Sequence, residues 1–386
     1  MCLGSILDKN EPVHKVGFIH NWCLWISIRL STGAVTEVKM DLLSYMKFPI
    51  IQGPMAGGAS TPELVAAVSN AGALGSLAAS LLAPEAMREQ VGRIRALTSQ
   101  PFQINLFVLQ TPSPSEQEVA QAIERLRPAW EAAGMASLPV PAKWCEDFDA
   151  QFATLLELRP PVASFTFGIL SAAQVQQLHD AGIAVIGTIT TVDEAIAWQE
   201  IGADAVVASG IECGGHRGTF LGPQEEATLT GHELWPLVAA AVDIPVIAAG
   251  AIMSGADIRA ALTMGAAAVQ MGTAFLVCEE SGIGDLYREK LLNARNTPTR
   301  LTRSFSGRYA RGLENEFIRQ MKPVEAEVPA YPVQNALTTA IRAAAAKQGN
   351  AELMSLWAGT GVARARPMKA AQLVSTLVSE MQDNRV

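Results

Sequence analysis

A single histidine lies among glycines in the segment ECGGHRG, residues 212–218. Glycine destabilises regular structure unless the chain turns sharply or lies close to another group. Gly214 and Gly215 therefore predict a close approach of the backbone to a ligand. Near neutral pH the imidazole of His216 could accept a proton from a carbon acid, or in its protonated form hold an anion. The segment predicts a site for acid–base chemistry, with His216 as its catalytic residue.

Short apolar runs recur between residues 48 and 278, and each is followed by a helix-like segment. The runs are continuous rather than alternating, which indicates strands buried on both faces, as in a parallel sheet. Eight such units predict an α/β fold, a closed (β/α)8 TIM barrel, in preference to an open doubly wound sheet. The runs are FPIIQGPM, ALGSLAA, FQINLFV, VASFTFG, AVIGTIT, AVVASG, PVIAAGA and AVQMGTAFL.

Three segments depart from the barrel pattern. Residues 1–40 lack its periodicity, and we interpret them as an N-terminal extension that is either disordered or upstream of a native start at Met40. Residues 109–161 interrupt the predicted barrel (41–278) between its third and fourth strands and predict an inserted helical lid. Residues 279–386 show helical patterns and no strands, which predicts a helical C-terminal region covering the active site.

Polar and glycine-rich clusters fall where several of these strands end. In a barrel of this type the active site lies at the carboxyl ends of the strands. Gly250 and Ala251 follow the seventh strand, and Gly272 and Thr273 follow the eighth, at the two places where such barrels commonly hold a phosphate. Small residues let main-chain N–H groups approach an anion. Tight turning from strand to helix is the alternative explanation.

Composition restricts the class of partner. The formal net charge of −8 argues against nucleic acid, because a phosphate backbone requires basic patches. The five cysteines are scattered and form no C-x-x-C pair, which is typical of a reducing compartment rather than of a disulfide framework or zinc site. No stretch reads as a signal peptide or a membrane span. We therefore predict a cytoplasmic protein with neither a nucleic-acid nor a membrane partner.

The segments above, together with FSGRYARG, YPVQNALTTAIRAAAA and SLWAG, resemble the nitronate monooxygenase family and, within it, the class I branch. The resemblance covers residues 48–377. It implies a TIM barrel that binds FMN non-covalently and uses molecular oxygen to oxidise alkyl nitronates to a carbonyl compound and nitrite. It leaves open whether neutral nitroalkanes are oxidised too, and whether the protein is a monomer or a homodimer.

The resemblance also implies the roles of individual residues. His216 would be the catalytic histidine beside the flavin. Ser209 stands where the family usually has glutamine, which puts that side-chain contact in doubt. Ala251 replaces a family glycine, and its N–H can still serve the phosphate if φ is negative there. The implied flavin contacts are Met55, Ala56, Asn105, Ser209, Gly214, Gly215, Gly250, Ala251, Gln270, Met271, Gly272 and Thr273.

Several further residues have more than one interpretation. Glu212 could orient Arg217 or the backbone of its loop, and Tyr331 could line the pocket. His179, on a helix with glutamine neighbours, is predicted to be exposed. An arginine cluster in the C-terminal region could attract an anionic substrate, although such clusters are more often solvated or paired with acids. Its members are Arg300, Arg303, Arg308 and Arg311.

Other functions fit the same barrel. A flavin reductase that uses NAD(P)H on an enoyl thioester or a quinone shares the GPMAG and GGH motifs, but the C-terminal segments favour the monooxygenase. A barrel that binds a ligand without catalysis would be a colourless protein. A flavin-free aldolase or isomerase would require a Schiff-base lysine or paired carboxylates at the strand ends, and no such lysine occurs there.

Overall fold

The computed structural model describes residues 41–383, so the proposed extension at residues 1–40 lies outside the described residues. Each of the eight predicted runs contains a strand. The barrel strands, numbered with all strands in chain order, are β1 (Ile50–Gln52), β2 (Gly75–Ala78), β3 (Phe102–Phe107), β4 (Val162–Thr166), β5 (Ala184–Ile189), β6 (Ala205–Ser209), β8 (Val246–Ala249) and β9 (Ala268–Met271). A smaller sheet contains β7 (Gly215–His216), β10 (Thr299–Thr302) and β11 (Ala310–Leu313).

The eight barrel strands pair in parallel in the order β1-β9-β8-β6-β5-β4-β3-β2. The two ends of this order meet through a parallel bridge between Ile51 and Leu74. There the amide of Leu74 donates to the carbonyl of Ile50, and the amide of Gln52 donates to the carbonyl of Leu74, each at 2.9 Å. The sheet is therefore closed, and the predicted (β/α)8 barrel is confirmed.

Local sequence explains why helices begin where they do. Ser171, Thr191 and Ser254 each cap a helix and form a capping box with the side chain three residues later. The helices are α1 (Pro62–Asn70), α2 (Pro84–Leu97), α3 (Glu116–Arg125), α4 (Arg127–Ala132), α5 (Phe148–Leu158), α6 (Ala172–Asp180), α7 (Val192–Glu200), α8 (Gly231–Ala241), α9 (Gly255–Thr263), α10 (Thr273–Leu276), α11 (Asp285–Leu292), α12 (Glu316–Met321), α13 (Val333–Lys347) and α14 (Ala370–Gln382).

The segment 109–161 divides into two parts. Helix α5 is the barrel helix between β3 and β4, because Phe152 and Leu155 are buried in the barrel core. Helices α3 and α4 belong to a second apolar core, in which Trp130 packs with residues of the C-terminal region such as Leu337. None of the described residues of 109–161 lines the main cavity. Helices α3 and α4 therefore support, from outside the cavity, the C-terminal region that covers the barrel.

The last barrel helix comes from the far end of the chain. Helix α14 packs against both α9 and α1, which is the position of the helix that should follow β9. Its residues Leu373, Val374 and Leu377 belong to the barrel core. The structure thus differs from the expected boundary at residue 278, because the chain leaves the barrel after β9, builds the covering region and returns. We call residues 277–369 the cap.

The expectation of a strand-free C-terminal region is wrong. Strands β10 and β11 form an antiparallel pair, and β11 pairs in turn with β7. Each has only four residues, TRLT and ARGL, too few for an alternating pattern to be recognised. The two strands pair with each other, and β11 also pairs with β7 about a hundred residues earlier, which is tertiary context that local sequence does not contain.

No helix within residues 41–383 is long and apolar enough to cross a membrane.

We predict that Leu377→Ala destabilises the whole barrel. Leu377 is fully buried in the barrel core, so truncation should lower the free energy of unfolding by about 2–5 kcal/mol. Ser375→Ala, at an exposed position of the same helix, should change it by less than about 0.5 kcal/mol. Denaturant unfolding measures both. Equal stabilities for the two variants would show that α14 is peripheral.

Candidate active site

A cavity of about 490 Å³ opens at the carboxyl ends of the barrel strands, beneath the cap. Its size is typical of a small-molecule site. Residues from β3, β4, β5, β6, β8 and β9, and from the loops that follow β1, β6, β8 and β9, form one side of it, while cap residues form the other. The structure brings all thirteen sequence-predicted residues to this one cavity: Met55, Ala56, Asn105, Ser209, Gly214, Gly215, His216, Gly250, Ala251, Gln270, Met271, Gly272 and Thr273.

His216 is fixed in the cavity by strand pairing. It lies on β7, directly opposite Ala310 of β11. Three aromatic rings surround its imidazole at centroid distances of 5.5 Å (Phe167), 5.5 Å (Tyr331) and 5.4 Å (Trp357). Its Nε2 is buried and has no hydrogen-bond partner among the described residues. A buried polar atom without a partner is costly, and such atoms occur where a ligand completes the site.

The surroundings of His216 keep its imidazole neutral. Burial, reinforced by the positive charges of Arg308 and Arg342, lowers the pKa of His216 to about 3. At neutral pH the ring therefore has a free lone pair on one nitrogen. Of the two roles that the sequence allows, this state fits a proton acceptor and does not fit a cation that holds an anion.

A buried arginine organises the loop that carries the histidine. The side chain of Arg217 is 1% exposed. Its guanidinium donates to the carbonyls of Ser209 at 2.9 Å, Gly210 at 2.6 Å and Ala227 at 3.1 Å. These bonds join the end of β6 to the chain beyond β7. Because Arg217 immediately follows His216, they also fix the direction in which the histidine leaves the backbone.

The side chain of Glu212 holds the loop by bonding to a main-chain amide rather than to Arg217. Its carboxylate accepts the amide of Gly231, at the start of α8, at 3.0 and 3.2 Å. Of the two roles considered for Glu212, the structure shows the one on the loop. The neighbouring Cys213 carries no sign of an activated thiol, since burial raises its pKa.

The glycines beside His216 have a different use from the one expected. A Cβ atom at Gly214 would overlap the backbone of Ala358 and Gly359 in the cap. Gly215 has a φ of +74°, which favours glycine. The chain at Gly214 therefore approaches another stretch of backbone closely, while also lining the cavity. Close packing against the cap backbone, and not only the approach of a ligand, therefore requires glycine at position 214.

Two of the four clustered arginines hold the histidine loop against the cap. Arg308 donates from Nε to the carbonyl of Arg217 at 2.8 Å, and its guanidinium lies 4.2 Å from the ring centre of Phe167. Arg311 donates from Nε to the carbonyl of Ile211 at 3.0 Å. Both side chains therefore hold backbone in place, and neither lines the cavity.

The other two arginines of the cluster are also engaged. Arg300 pairs with Glu314 at 2.8 Å, and Arg303 donates to the carbonyl of Gly307 at 3.3 Å. The structure therefore favours structural roles for all four and gives no support to a cluster that attracts an anionic substrate.

The opposite end of the cavity is lined by main chain. Gly250 has a φ of +129°, and a Cβ atom at Gly272 would meet nothing within 4 Å. Ala251 has a φ of +53°, so the condition under which its N–H could serve the phosphate, a negative φ, is not met. The residue adopts the conformation that the family glycine would adopt freely, at a cost of about 1–2 kcal/mol. The carbonyl of Ala251 accepts a hydrogen bond from Arg364 of the cap.

The side chains of Ser209 and Asn105 are buried and partly engaged. The hydroxyl of Ser209 lies 3.5 Å from a guanidinium nitrogen of Arg217. The amide nitrogen of Asn105 donates to the hydroxyls of Ser164 at 3.0 Å and Thr166 at 3.3 Å. Thr166 and Thr188 also line the cavity, at the ends of β4 and β5, and sequence analysis did not identify them.

Sequence analysis also missed the polar residues that the cap contributes. Asn335 and Arg342 of α13, and Ser355 beyond it, line the cavity together with Trp357. The available signal was helical spacing, because residues two turns apart on α13 share a face. A rule based on strand ends cannot find residues on a helix of the cap.

The remaining described histidines lie elsewhere. His179 is half-buried rather than exposed, because its Nε2 lies 2.9 Å from the buried carboxylate of Asp204. His232 packs against Trp235 on α8, with ring centres 5.2 Å apart. Neither lines the cavity.

Fold and site together define a barrel enzyme whose single cavity histidine lies beneath a C-terminal cap. The model of the nitronate monooxygenase family matches residues 37–380. A probable nitronate monooxygenase of Staphylococcus aureus (strain MSSA476) is 40% identical over 337 residues, covering 87% of this chain and 95% of its own length. This chain therefore belongs to the nitronate monooxygenase family, and it is an oxidoreductase.

Solved structures agree with this assignment. The nitroalkane oxidase from Streptomyces ansochromogenes is 41% identical, with a TM-score of 0.82, and the match covers 88% of this chain and 96% of that one. FabK from Thermotoga maritima is 29% identical, with a TM-score of 0.68, and the match covers 87% of this chain and 93% of that one. The resemblance inferred from sequence motifs is confirmed.

We predict that His216 destabilises the folded protein in acid. Its pKa of about 3 when folded lies below the ordinary value near 6.5. The unfolded chain therefore binds more protons between these values, and stability falls as pH drops from about 6.5 toward 3. His216→Asn should be more stable than wild type by about 1–2 kcal/mol at pH 5 relative to their difference at pH 8. Denaturant unfolding at the two pH values measures this, and a difference independent of pH would contradict it.

Proposed function

We propose that this protein uses FMN to oxidise alkyl nitronates with molecular oxygen to a carbonyl compound and nitrite. The observation that carries the proposal is the neutral, unpartnered imidazole of His216 in a cavity whose far end is lined by main chain. Membership of the nitronate monooxygenase family supports the substrate class. The cytoplasmic location predicted from cysteine usage stays a prediction.

The residues of the cavity fit FMN. Gly272, with open space beside its Cα, and Gly250, with a φ of +129°, expose backbone that would hold the phosphate. Met55, Ala56, Asn105 and Gln270 would contact the ring system from the barrel side. When bound, FMN would supply the acceptance of electrons from the substrate and their transfer to oxygen.

The protein's own groups position the substrate and manage its proton. His216 would accept the α-proton of a neutral nitroalkane at the unprotonated nitrogen of its neutral ring. The hydroxyl of Tyr331 stays protonated because burial raises its pKa, so it can donate a hydrogen bond to the substrate. The rings of Phe167, Tyr331 and Trp357 exclude water from around the imidazole.

The low pKa of His216 also ranks the substrates. A base is most efficient when its pKa lies near the working pH, and a pKa of about 3 makes this imidazole a weak base. We therefore expect the wild-type enzyme to consume oxygen faster with ethylnitronate, which needs no deprotonation, than with nitroethane.

An anaerobic experiment tests the proposal against the NAD(P)H-dependent alternative. The purified holoprotein is mixed without oxygen with either ethylnitronate or NADH, and the visible flavin bands are followed. Bleaching by the nitronate supports the proposal. Rapid bleaching by NADH with none by the nitronate would identify a reductase, and a protein without flavin absorbance would exclude both.

We predict that His216→Ala keeps the fold and FMN but loses turnover of nitroethane by about 10²–10⁴-fold, because a positioned general base contributes about that much. Turnover of ethylnitronate should fall by much less, since its proton is already removed. Oxygen uptake with both substrates, together with the flavin content of the variant, measures this. Equal losses of turnover with the two substrates would show that His216 does not act as a base.

We predict that Gly272→Leu lowers FMN occupancy without unfolding the barrel. A side chain at this position would project into open space in the cavity and compete with the phosphate. Gly92→Leu is a matched control, because Gly92 also has open space beside its Cα but lies on the exposed face of α2. The ratio of flavin to protein absorbance gives the result. Full occupancy in Gly272→Leu would place the phosphate elsewhere.

A further inference from the structure

Helix α13 presents a polar face to the cavity. Asn335 and Arg342 lie two turns apart on this helix, and both line the cavity. Ser355, on the chain that follows, lies beside Arg342. Trp357, two residues later, packs against His216, and the centres of the two rings are 5.4 Å apart. This polar face differs from the glycine-lined part of the cavity because Arg342 gives it a formal positive charge.

The guanidinium of Arg342 has only neutral partners. Nη2 donates to the carbonyl and side-chain oxygens of Asn335 at 2.9 and 3.0 Å and to the hydroxyl of Thr339 at 2.9 Å. Nε lies 3.3 Å from the carbonyl of Thr338, and Nη1 lies 3.3 Å from the hydroxyl of Ser355. Within the described chain no carboxylate neutralises it. Burial lowers the pKa of Arg342 to about 10, which still leaves it charged at neutral pH.

This arrangement leaves binding capacity toward the cavity. A guanidinium has five N–H groups. Nη1 carries two of them and has one partner, Ser355, among the residues that the structure describes. A desolvated charge without a counter-charge is unfavourable, and an anion in the cavity would offset this cost. The remaining N–H of Nη1 can donate to such an anion, and a hydrogen bond between two charged groups is stronger than one between neutral groups.

We propose that Arg342, with Asn335 and Ser355, is the specificity-determining residue that binds the negatively charged nitronate group of the substrate. The inference rests on the proposed function, which supplies a substrate with one planar, delocalised negative charge. His216 cannot take this role because it is neutral. The arginines of the 300–311 cluster cannot take it because they do not line the cavity. Arg342 therefore distinguishes the anion from the neutral nitroalkane, while His216 faces the carbon.

The test uses Arg342→Met and Arg342→Lys in the holoenzyme, with Arg300→Met as the control. Arg300 is also in the cap, but it is paired with Glu314 outside the cavity. Nitrate, a planar anion that does not react, is the binding probe. Thermal unfolding is followed as nitrate replaces chloride at constant ionic strength, since a ligand of the folded state raises the midpoint.

Nitrate should raise the unfolding midpoint of wild type and of Arg300→Met, and it should have no effect on Arg342→Met. For ethylnitronate, KM of Arg342→Met should rise about 10–100-fold with a smaller change in kcat, because a charged hydrogen bond is lost. Arg342→Lys keeps the positive charge but not the planar guanidinium. Its KM for ethylnitronate should therefore lie between those of wild type and Arg342→Met. KM for nitroethane should change little in any variant.

Several results would overturn the proposal. These are absence of a nitrate effect in wild type, an equal nitrate effect in Arg342→Met, or an unchanged KM for ethylnitronate. A lower midpoint of Arg342→Met without nitrate, together with lost flavin, would assign Arg342 a structural role. Nitrate binding does not require turnover. If wild type consumes no oxygen with any nitronate but binds nitrate through Arg342, the proposed function fails and the anion site remains.

Discussion

The short antiparallel pairing of β7 with β11 is the constraint on which the site depends. It joins two residues of a barrel loop to the cap, and one of those residues is His216. Arg308, which precedes β11, and Arg311, which pairs with Gly215, bond to carbonyls on both sides of the histidine. The imidazole is therefore held between barrel and cap. Rotation of the loop would break both the strand pairing and the arginine hydrogen bonds.

Unbalanced positive charge sets the chemistry around that imidazole. Arg217, Arg308 and Arg342 are each held mainly by carbonyls and hydroxyls rather than by paired carboxylates. Burial lowers the pKa of each, and the charges of Arg308 and Arg342 add to burial in lowering that of His216. Burial is the main cause of the neutral imidazole, and the charge of Arg342, which adds to it, also places a positive charge at the cavity.

Sequence alone predicted the part of the site that obeys a strand-end rule. The glycine and polar clusters where several of the runs end located the barrel side of the cavity, because parallel strands align their carboxyl ends at one edge. The cap side was missed for a physical reason. Arg342 and Asn335 are brought to the cavity by the packing of Leu337 and its neighbours in the second core, and that packing depends on α3 and α4 far earlier in the chain. The same holds for the pairing of β11 with β7, which joins segments about a hundred residues apart.

The return of α14 to the barrel explains how one chain can combine these two halves. Because α14 lies between α9 and α1, the cap is attached to the barrel at both ends, like an insertion within the eighth strand–helix unit. Changes in the cap therefore need not disturb the barrel core, and the main-chain end of the cavity stays with the strands. The side chains that would meet a substrate, Tyr331 and Arg342 among them, lie on the cap. The architecture separates cofactor binding, which the barrel would provide, from substrate choice, which the cap would provide.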